Sequence, residues 1–419
     1  MAFNSFSDMS KIFILILLIV LVGNKGHSQS VLGKITDSRT NQPVQFANVY
    51  FANTTIGTTT NPEGTFKLSG FSSGKYDLTV SFVGYNTYSR SLELKGNETL
   101  QIAIELVPEV VNLPEVFITA DTSNWKRYFQ SFRNYFLGTT PASTKAQITN
   151  KKALAFYDDN NQRTLYAHAR EPLVIRNDWL GYEITYDMVS FQMEYRDGKL
   201  AYYGVPRFSY LKPKNKSNEK RWERNRNKAY KGSLLHFFRS MAEGNFEKDE
   251  FLVFELLKTP NPDRLPDKLI DERISYYQKG VTAASGGSVT ISGCGANVLY
   301  GSDSLSYYLK ERRKPKEVDS LGRQFKTGKE LLEGDNVNYI GMLQIIYKGA
   351  KEALEYPFKS RSTPGYQESR LHIKDRLKLY DNGYYEDVRS TYIEGYWSWI
   401  GTMASLLPMD YVPPNTKTE

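Results

Sequence analysis

Cysteine is almost absent: Cys294 is the only one in 419 residues, so no disulfide can form within one chain. No cysteine stands at the end of the first apolar segment, where a lipid anchor would attach. Beyond that segment no stretch is long and apolar enough for a membrane helix. There is no glycine-rich phosphate loop, dinucleotide fingerprint or calcium loop, which removes the commonest nucleotide and calcium chemistries. A chain without disulfides must rely on core size, and this length allows two or three domains.

Lys11 precedes an unbroken apolar run from Ile12 to Val22, and small and polar residues follow up to Gln29. That run is short for a hydrocarbon core of ~30 Å. Residues 1–29 therefore read as a signal peptide, with an uncleaved anchor helix as the alternative. The expected location is exported, periplasmic or associated with the outer membrane, and not as a lipoprotein. Formal net charge is +8. Losing Lys11, Lys25 and Asp8 with the signal leaves about +7, which suits anionic envelope surfaces. Nucleic acid does not fit that compartment. Hydrophobic residues at 40% and charged residues at 24% describe a globular chain, and 30 tyrosines suit half-wet sheet faces.

From Val31 to Leu106 the pattern is dense β. Val31–Asp37, Val44–Ala52, Thr65–Leu68, Tyr76–Phe82, Tyr88–Leu94 and Gln101–Leu106 read as strands, and Phe46 counts among the apolar members of the second. Turns fall at Ser38–Pro43, at Asn61–Gly64 and at Ser72–Lys75. Short strands at this spacing predict a small β-sandwich over 30–107, then a linker over 108–122. Five segments, Gly33–Asp37, Pro43–Val49, Gly57–Phe66, Gly74–Leu78 and Phe82–Tyr85, resemble the carboxypeptidase regulatory-like family in order and spacing. The resemblance covers about 75 residues. It implies a prealbumin-like (transthyretin-like) sandwich without catalytic residues, of the kind found in the Gram-negative envelope. The same module precedes the plug of many TonB-dependent receptors, and Pro108–Ala120 looks like the short strand that joins module to plug there. The remainder of the chain is too short for their 22-stranded barrel.

Residues 123–414 predict a larger, sheet-rich α+β domain, so the fold class is mainly β with some α. Ser123 is placed to cap a helix over Trp125–Phe136, where Trp125, Phe129, Phe132 and Phe136 share a face. Strands are expected at Leu154–Tyr157, Arg163–Ala169, Leu173–Ile175, Tyr182–Tyr195 and Leu200–Leu211, with a hairpin turn at Asp197–Gly198. Lys212–Lys231 is strongly basic, and its second half continues as one amphipathic helix to about Ala242. Arg221, Arg224 and Lys228 are its candidates for contact with an anionic membrane surface. Further strands are expected at Phe251–Leu257, Arg273–Tyr277, Val289–Ile291, Val298–Tyr300, Tyr339–Tyr347 and Arg370–Tyr380, with 310–335 as charged loop. This region resembles the uncharacterised portion that accompanies the sandwich in exported Gram-negative proteins.

His168 and Glu171 invite comparison with a His-x-x-Glu zinc pair, completed by His236 or His372. Three residues apart on a strand, however, they point to opposite faces. Cys294, between two glycines, reads as a hairpin tip, and Ser233 with His236 lacks a nucleophile elbow. The expected function is a non-catalytic exported envelope protein, binding or accessory, without a cofactor or metal. Its partner would be an envelope protein, a glycan or a peptide. Alternatives are a small outer-membrane barrel or receptor-associated component, and a zinc carboxypeptidase. Tyr392, Tyr396, Trp397 and Trp399, beside Gly395, are the candidate binding surface, with closure of the core as the competing reading.

Overall fold

A computed structural model describes residues 29–96, 98–109, 124–159, 163–196, 199–285, 296–358, 363–386 and 390–414. The signal segment up to Ser28, most of the linker, Ser123, Asp197–Gly198, Val289–Ile291 and Cys294 lie outside these residues.

The first unit is a sandwich of two sheets. Strand β1 (Ser30–Asp37) pairs antiparallel with β4 (Thr65–Ser69) and parallel with β7 (Thr99–Leu106). Facing it, β2 (Asn48–Phe51), β3 (Gly57–Thr59), β5 (Gly74–Ser81) and β6 (Tyr88–Leu94) run in the order β3-β2-β5-β6. Alternation decides the burial: in β4, Phe66 and Leu68 are buried between exposed Thr65, Lys67 and Ser69. Val31, Ile35, Val49, Phe51, Leu78, Val80 and Ile104 complete the core. Two corrections apply. The second strand is shorter than its apolar pattern, because Phe46 takes a positive φ of 59° and is 62% exposed. Residues 57–59 form a strand with no buried member, so their pattern carries no signal.

The second unit has a six-stranded sheet: β8 (Ala146–Ile148), β9 (Leu154–Asp159), β10 (Thr164–Ala169), β11 (Leu173–Asn177), β12 (Tyr182–Glu194) and β13 (Leu200–Tyr210). The long β12 is its spine, pairing with β11, β10 and β13. Helix α1 (Trp125–Phe136) lays its aromatic face on this sheet: Phe132 and Phe136 are fully buried against Phe156, Phe191 and Tyr186. Asn124 rather than Ser123 holds the cap position.

The basic stretch forms two helices rather than one, α2 (Lys216–Tyr230) and α3 (Leu234–Glu243). Gly232, at φ 76°, breaks the helix, and the Ser233 hydroxyl accepts the His236 backbone N–H at 3.2 Å to start the next. Helix α3 packs under the third unit, a sheet ordered β15-β14-β18-β19-β21. Its strands are β14 (Phe251–Pro260), β15 (Glu317–Phe325), β18 (Gly341–Lys351), β19 (Tyr366–Ile373) and β21 (Thr391–Gly395). A small sheet of β16 (Leu332–Glu333), β17 (Asn336–Val337) and β20 (Leu377–Lys378) lies beside it.

Three expectations fail between residues 267 and 325. Arg273–Tyr277 belongs to helix α4 (Asp267–Ser285) and Val298–Tyr300 to helix α5 (Ala296–Arg313). The strand reading followed β-prone residues, but Ile270 and Ile274, four apart and both buried, set a helical period. The charged stretch near 320 is strand β15, not loop, because its charges face cross-strand partners such as Lys258 to Asp319. Among the described residues every sheet is open, with two free edges. No described helix is long and apolar enough to cross a membrane.

The units are tied together. The sandwich loop after β2 lies on the outer edge of β13, with Asn53 N–H donating to Pro206 O at 2.8 Å and Phe208 N–H to Thr54 O at 3.0 Å. The tail after β21 meets the same loop: Met409 N–H reaches Asn53 O at 2.7 Å, and the Asp410 carboxylate accepts from Thr55. Lys75 pairs with Glu386, and Lys378 with Glu93.

Candidate functional site

Strand β19 divides its side chains. Ser369, Leu371 and Ile373 face the core above α3, while Glu368, Arg370 and His372 face the opposite side. Arg370 is the hub there. Its Nε donates to Gln344 Oε1 at 3.3 Å, and its Nη1 lies 2.8 Å from Asp319 and 3.7 Å from Glu394. Gln344 in turn donates to Glu368 at 3.3 Å. Lys258 also pairs with Asp319 and, with Arg370, holds that carboxyl below its ordinary range. His372 Nε2 sits 3.5 Å from Glu394, and its ring meets Tyr392 edge to face at 5.3 Å.

Asp319 is on β15, separated from β19 by two strands. Three strand spacings are about 14 Å, beyond the reach of arginine in a flat sheet. The β14–β15 ribbon runs past the last residue paired with β18, and a register shift between Phe254 and Leu256 marks a bulge. The bulge bends the ribbon over the sheet and brings Asp319 to Arg370.

Beside this cluster lies a cleft of about 670 Å³, lined by Lys351, Tyr356, Phe358, Tyr366, Glu368 and Arg370 among others. The Lys351 ammonium sits 3.5 Å above the Tyr366 ring. Tyr396 and Trp399 back the cleft, packing on Tyr356 at 5.1 and 5.4 Å.

The four sequence candidates separate in the structure. Tyr396, Trp397 and Trp399 are buried, and only Tyr392 is exposed. The Trp397 ring packs at a tilt on Phe237, 5.2 Å between centres, and donates its indole N–H to Gly232 O at 2.7 Å. These three side chains lie in the buried clusters, Trp397 with Phe237 and Tyr396 and Trp399 with Tyr356. The close approach at Gly395 is internal: φ is 73°, and a Cβ would meet Glu368 O at 2.7 Å. Arg221, Arg224 and Lys228 lie together on the solvent side of α2.

The catalytic candidates are dispersed. His168 is exposed on β10, and Glu171 is exposed and accepts from Asn150 at 3.1 Å. His236 Nδ1 accepts the Gly232 N–H at 3.1 Å and Nε2 lies 3.9 Å from Asp249, so the ring does not serve Ser233, whose hydroxyl is a helix cap. Burial pushes the Asp249 carboxyl up, but contacts with His236 and Ser240 outweigh it and leave it low. Among the described residues no group of His, Cys, Asp and Glu is arranged to hold a metal ion.

No curated protein matches this chain. Among solved structures, a Bacteroides fragilis protein of unknown function is similar at 12% identity, over 87% of this chain and 94% of that one, with a TM-score of 0.17. A type II cohesin–X-dockerin complex of Acetivibrio cellulolyticus is similar at 17% identity over 19% of this chain, with a TM-score of 0.17. The pilus 2b backbone protein of group B streptococcus matches at 18% identity over 19% of this chain, also with a TM-score of 0.17. The chain spans 56% and 41% of the lengths of those last two. The sandwich gives the firm match: residues 31–118 are a CarboxypepD_reg-like domain, a non-catalytic module.

Proposed function

We propose that the protein is an exported, non-catalytic envelope protein that binds a polar polymer, a peptide or a glycan, in the cleft beside Arg370. The carrying observation is the pairing of aromatic and charged walls in that cleft, on the strands of one sheet. Phe358 is 75% exposed and Tyr366 is 43% exposed, which is available apolar area at low entropic cost. Arg370 is already saturated by Asp319, Glu394 and Gln344, so it is held in place rather than free to act as an acid or electrophile. Glu368 and Glu394 leave carboxylate oxygens for hydroxyl or amide donors of the ligand. The short apolar run behind Lys11 supports export, and the sandwich then serves as a rigid neighbour to the binding unit.

The test is capture from envelope extracts by the protein and by a Tyr366→Ala, Phe358→Ala double variant. Loss of capture with an unchanged melting temperature supports the reading. Equal capture by both proteins refutes it. Export is tested separately by N-terminal sequencing, which should start between Gly26 and Val31 rather than at Met1.

A further inference from the structure

Helices α4 and α5 are inserted between β14 and β15. Tyr277 meets Tyr308, and Asp271 lies 3.9 Å from Arg312, so the two run antiparallel. Their base is clamped. Asn261 N–H donates to Lys316 O at 2.9 Å, Arg264 Nε donates to Lys314 O at 3.0 Å, and Asp267 pairs with Arg264 and Lys316. Both helices make their main contacts with each other rather than with a sheet.

Four tyrosines cross the pair at one level. Tyr277 stacks on Tyr308 with 6.0 Å between ring centres, Tyr276 meets Tyr277 edge to face at 5.3 Å, and Tyr307 meets Tyr308 edge to face at 5.1 Å. The outer two face solvent: Tyr276 is 68% exposed and Tyr307 is 51% exposed. On the clamp side of this row stand Arg273, Lys310 and Arg313, all exposed and without an ion pair among the described residues. Glu272 is an exposed carboxylate at the same level. On the far side charge runs out. Lys279 and Asp303 stand within about one turn of the row, and positions 280–302 carry no charged side chain. In a chain with 24% charged residues, such a gap at the far end of a helix pair leaves little to hold that end in water.

We propose that the α4–α5 pair docks on a lipid bilayer, with the tyrosine row at headgroup level and the helix ends beyond it facing the hydrocarbon. Tyrosine suits that depth, because its ring leaves water while its hydroxyl keeps polar partners. Past the row α4 and α5 continue for about 14 and 17 Å at ~1.5 Å per residue. That is close to half of a ~30 Å hydrocarbon core, so the pair reaches into one leaflet and does not cross. No described helix is long and apolar enough to cross, which agrees with this depth. Arg273, Lys310 and Arg313 then stay in water beside the lipid phosphates, and an anionic surface binds more tightly. None of these residues lines the cleft beside Arg370, so either reading can fail without the other.

Flotation with phosphatidylcholine vesicles, with and without phosphatidylglycerol, tests the docking. The chain from Gln29 onward is used, so that the Ile12–Val22 run cannot itself take up lipid. We expect binding to both compositions, tighter with phosphatidylglycerol. The double variant Tyr276→Ser, Tyr307→Ser changes two exposed side chains and should weaken binding to both about tenfold or more, with an unchanged melting temperature. The double variant Arg273→Gln, Lys310→Gln should remove most of the gain from phosphatidylglycerol and leave binding to phosphatidylcholine as it was. No flotation with either composition overturns the proposal, as does flotation undiminished by the tyrosine changes. So does a dimer of the protein that the tyrosine changes abolish, in place of lipid binding.

Discussion

Replacing Trp397 with alanine separates a core residue from a surface residue. The side chain is 2% exposed, and a buried tryptophan removes about 200 Å² from water. At ~25 cal/mol per Å² that is about 5 kcal/mol, of which the alanine methyl keeps a small part. The cavity between Phe237 and β19 adds to the loss, and core Trp→Ala changes cost about 3–5 kcal/mol in all. Trp397→Phe isolates the second contribution. It keeps most of the ring area but deprives the Gly232 carbonyl of its indole donor, at a cost of about 1–3 kcal/mol. Urea denaturation followed by near-UV circular dichroism reads both variants. The alanine variant should lose the larger amount, with the phenylalanine variant between it and the wild type. A loss below about 0.5 kcal/mol for Trp397→Ala would mean a surface side chain and would refute this packing.

The Asp37 carboxyl accepts from Tyr85 at 2.6 Å and from the backbone N–H of Thr40 and Arg39, which holds its pKa at about 2. A depressed folded value contributes stability above the ordinary aspartate range and loses it as pH falls toward 2, so Tyr85→Phe should raise the midpoint in an NMR titration; an unmoved midpoint removes Tyr85 as the cause. Residues 30–109 alone should give a β-type circular dichroism spectrum and a cooperative melt, since the sandwich core contains no residue from beyond β7; an unstructured fragment would show that the docking contacts are required. Gly395→Ala should destabilise the third unit, because both its φ and the Glu368 carbonyl oppose a Cβ; a melt at the wild-type temperature would contradict the geometry.

How much of this was legible depended on whether one segment carried its own signal. Strand β4 and helix α1 announce themselves, one through strict alternation and the other through aromatics at three- and four-residue steps. Helices α4 and α5 do not, because tyrosines and isoleucines gave them the composition of strands while few apolar residues marked a face. The block at Tyr392–Trp399 reads as aromatic, but composition does not say which rings point inward; pairing of β21 with β19 sets Tyr392, and the short helix Tyr396–Ile400 turns Tyr396, Trp397 and Trp399 inward. The Arg370 cluster was invisible for a different reason. Asp319, Gln344, Arg370 and Glu394 come from four strands, and a bulge in β14 brings them together. Arg226 stands within a basic run, and only helix phase, which turns it toward Tyr182 and Tyr210, distinguishes it from Arg221, Arg224 and Lys228.

The tail after β21 touches every unit in turn. Thr402 and Met403 bond to Leu137 and Phe136 at the end of α1, Ala404 O accepts from Asn177, and Met409 and Asp410 reach the sandwich loop. Asn53 and Met409 meet across most of the chain, and such distant contacts form late because a very large loop must close first. The tail therefore acts as the last fastener of an assembly order: sandwich and sheets can form and meet through Asn53–Pro206 and Thr54–Phe208 as they emerge, and residues 402–411 tie them further once they have arrived. For a chain made from its N-terminus, that order lets each unit fold before the tail adds its ties.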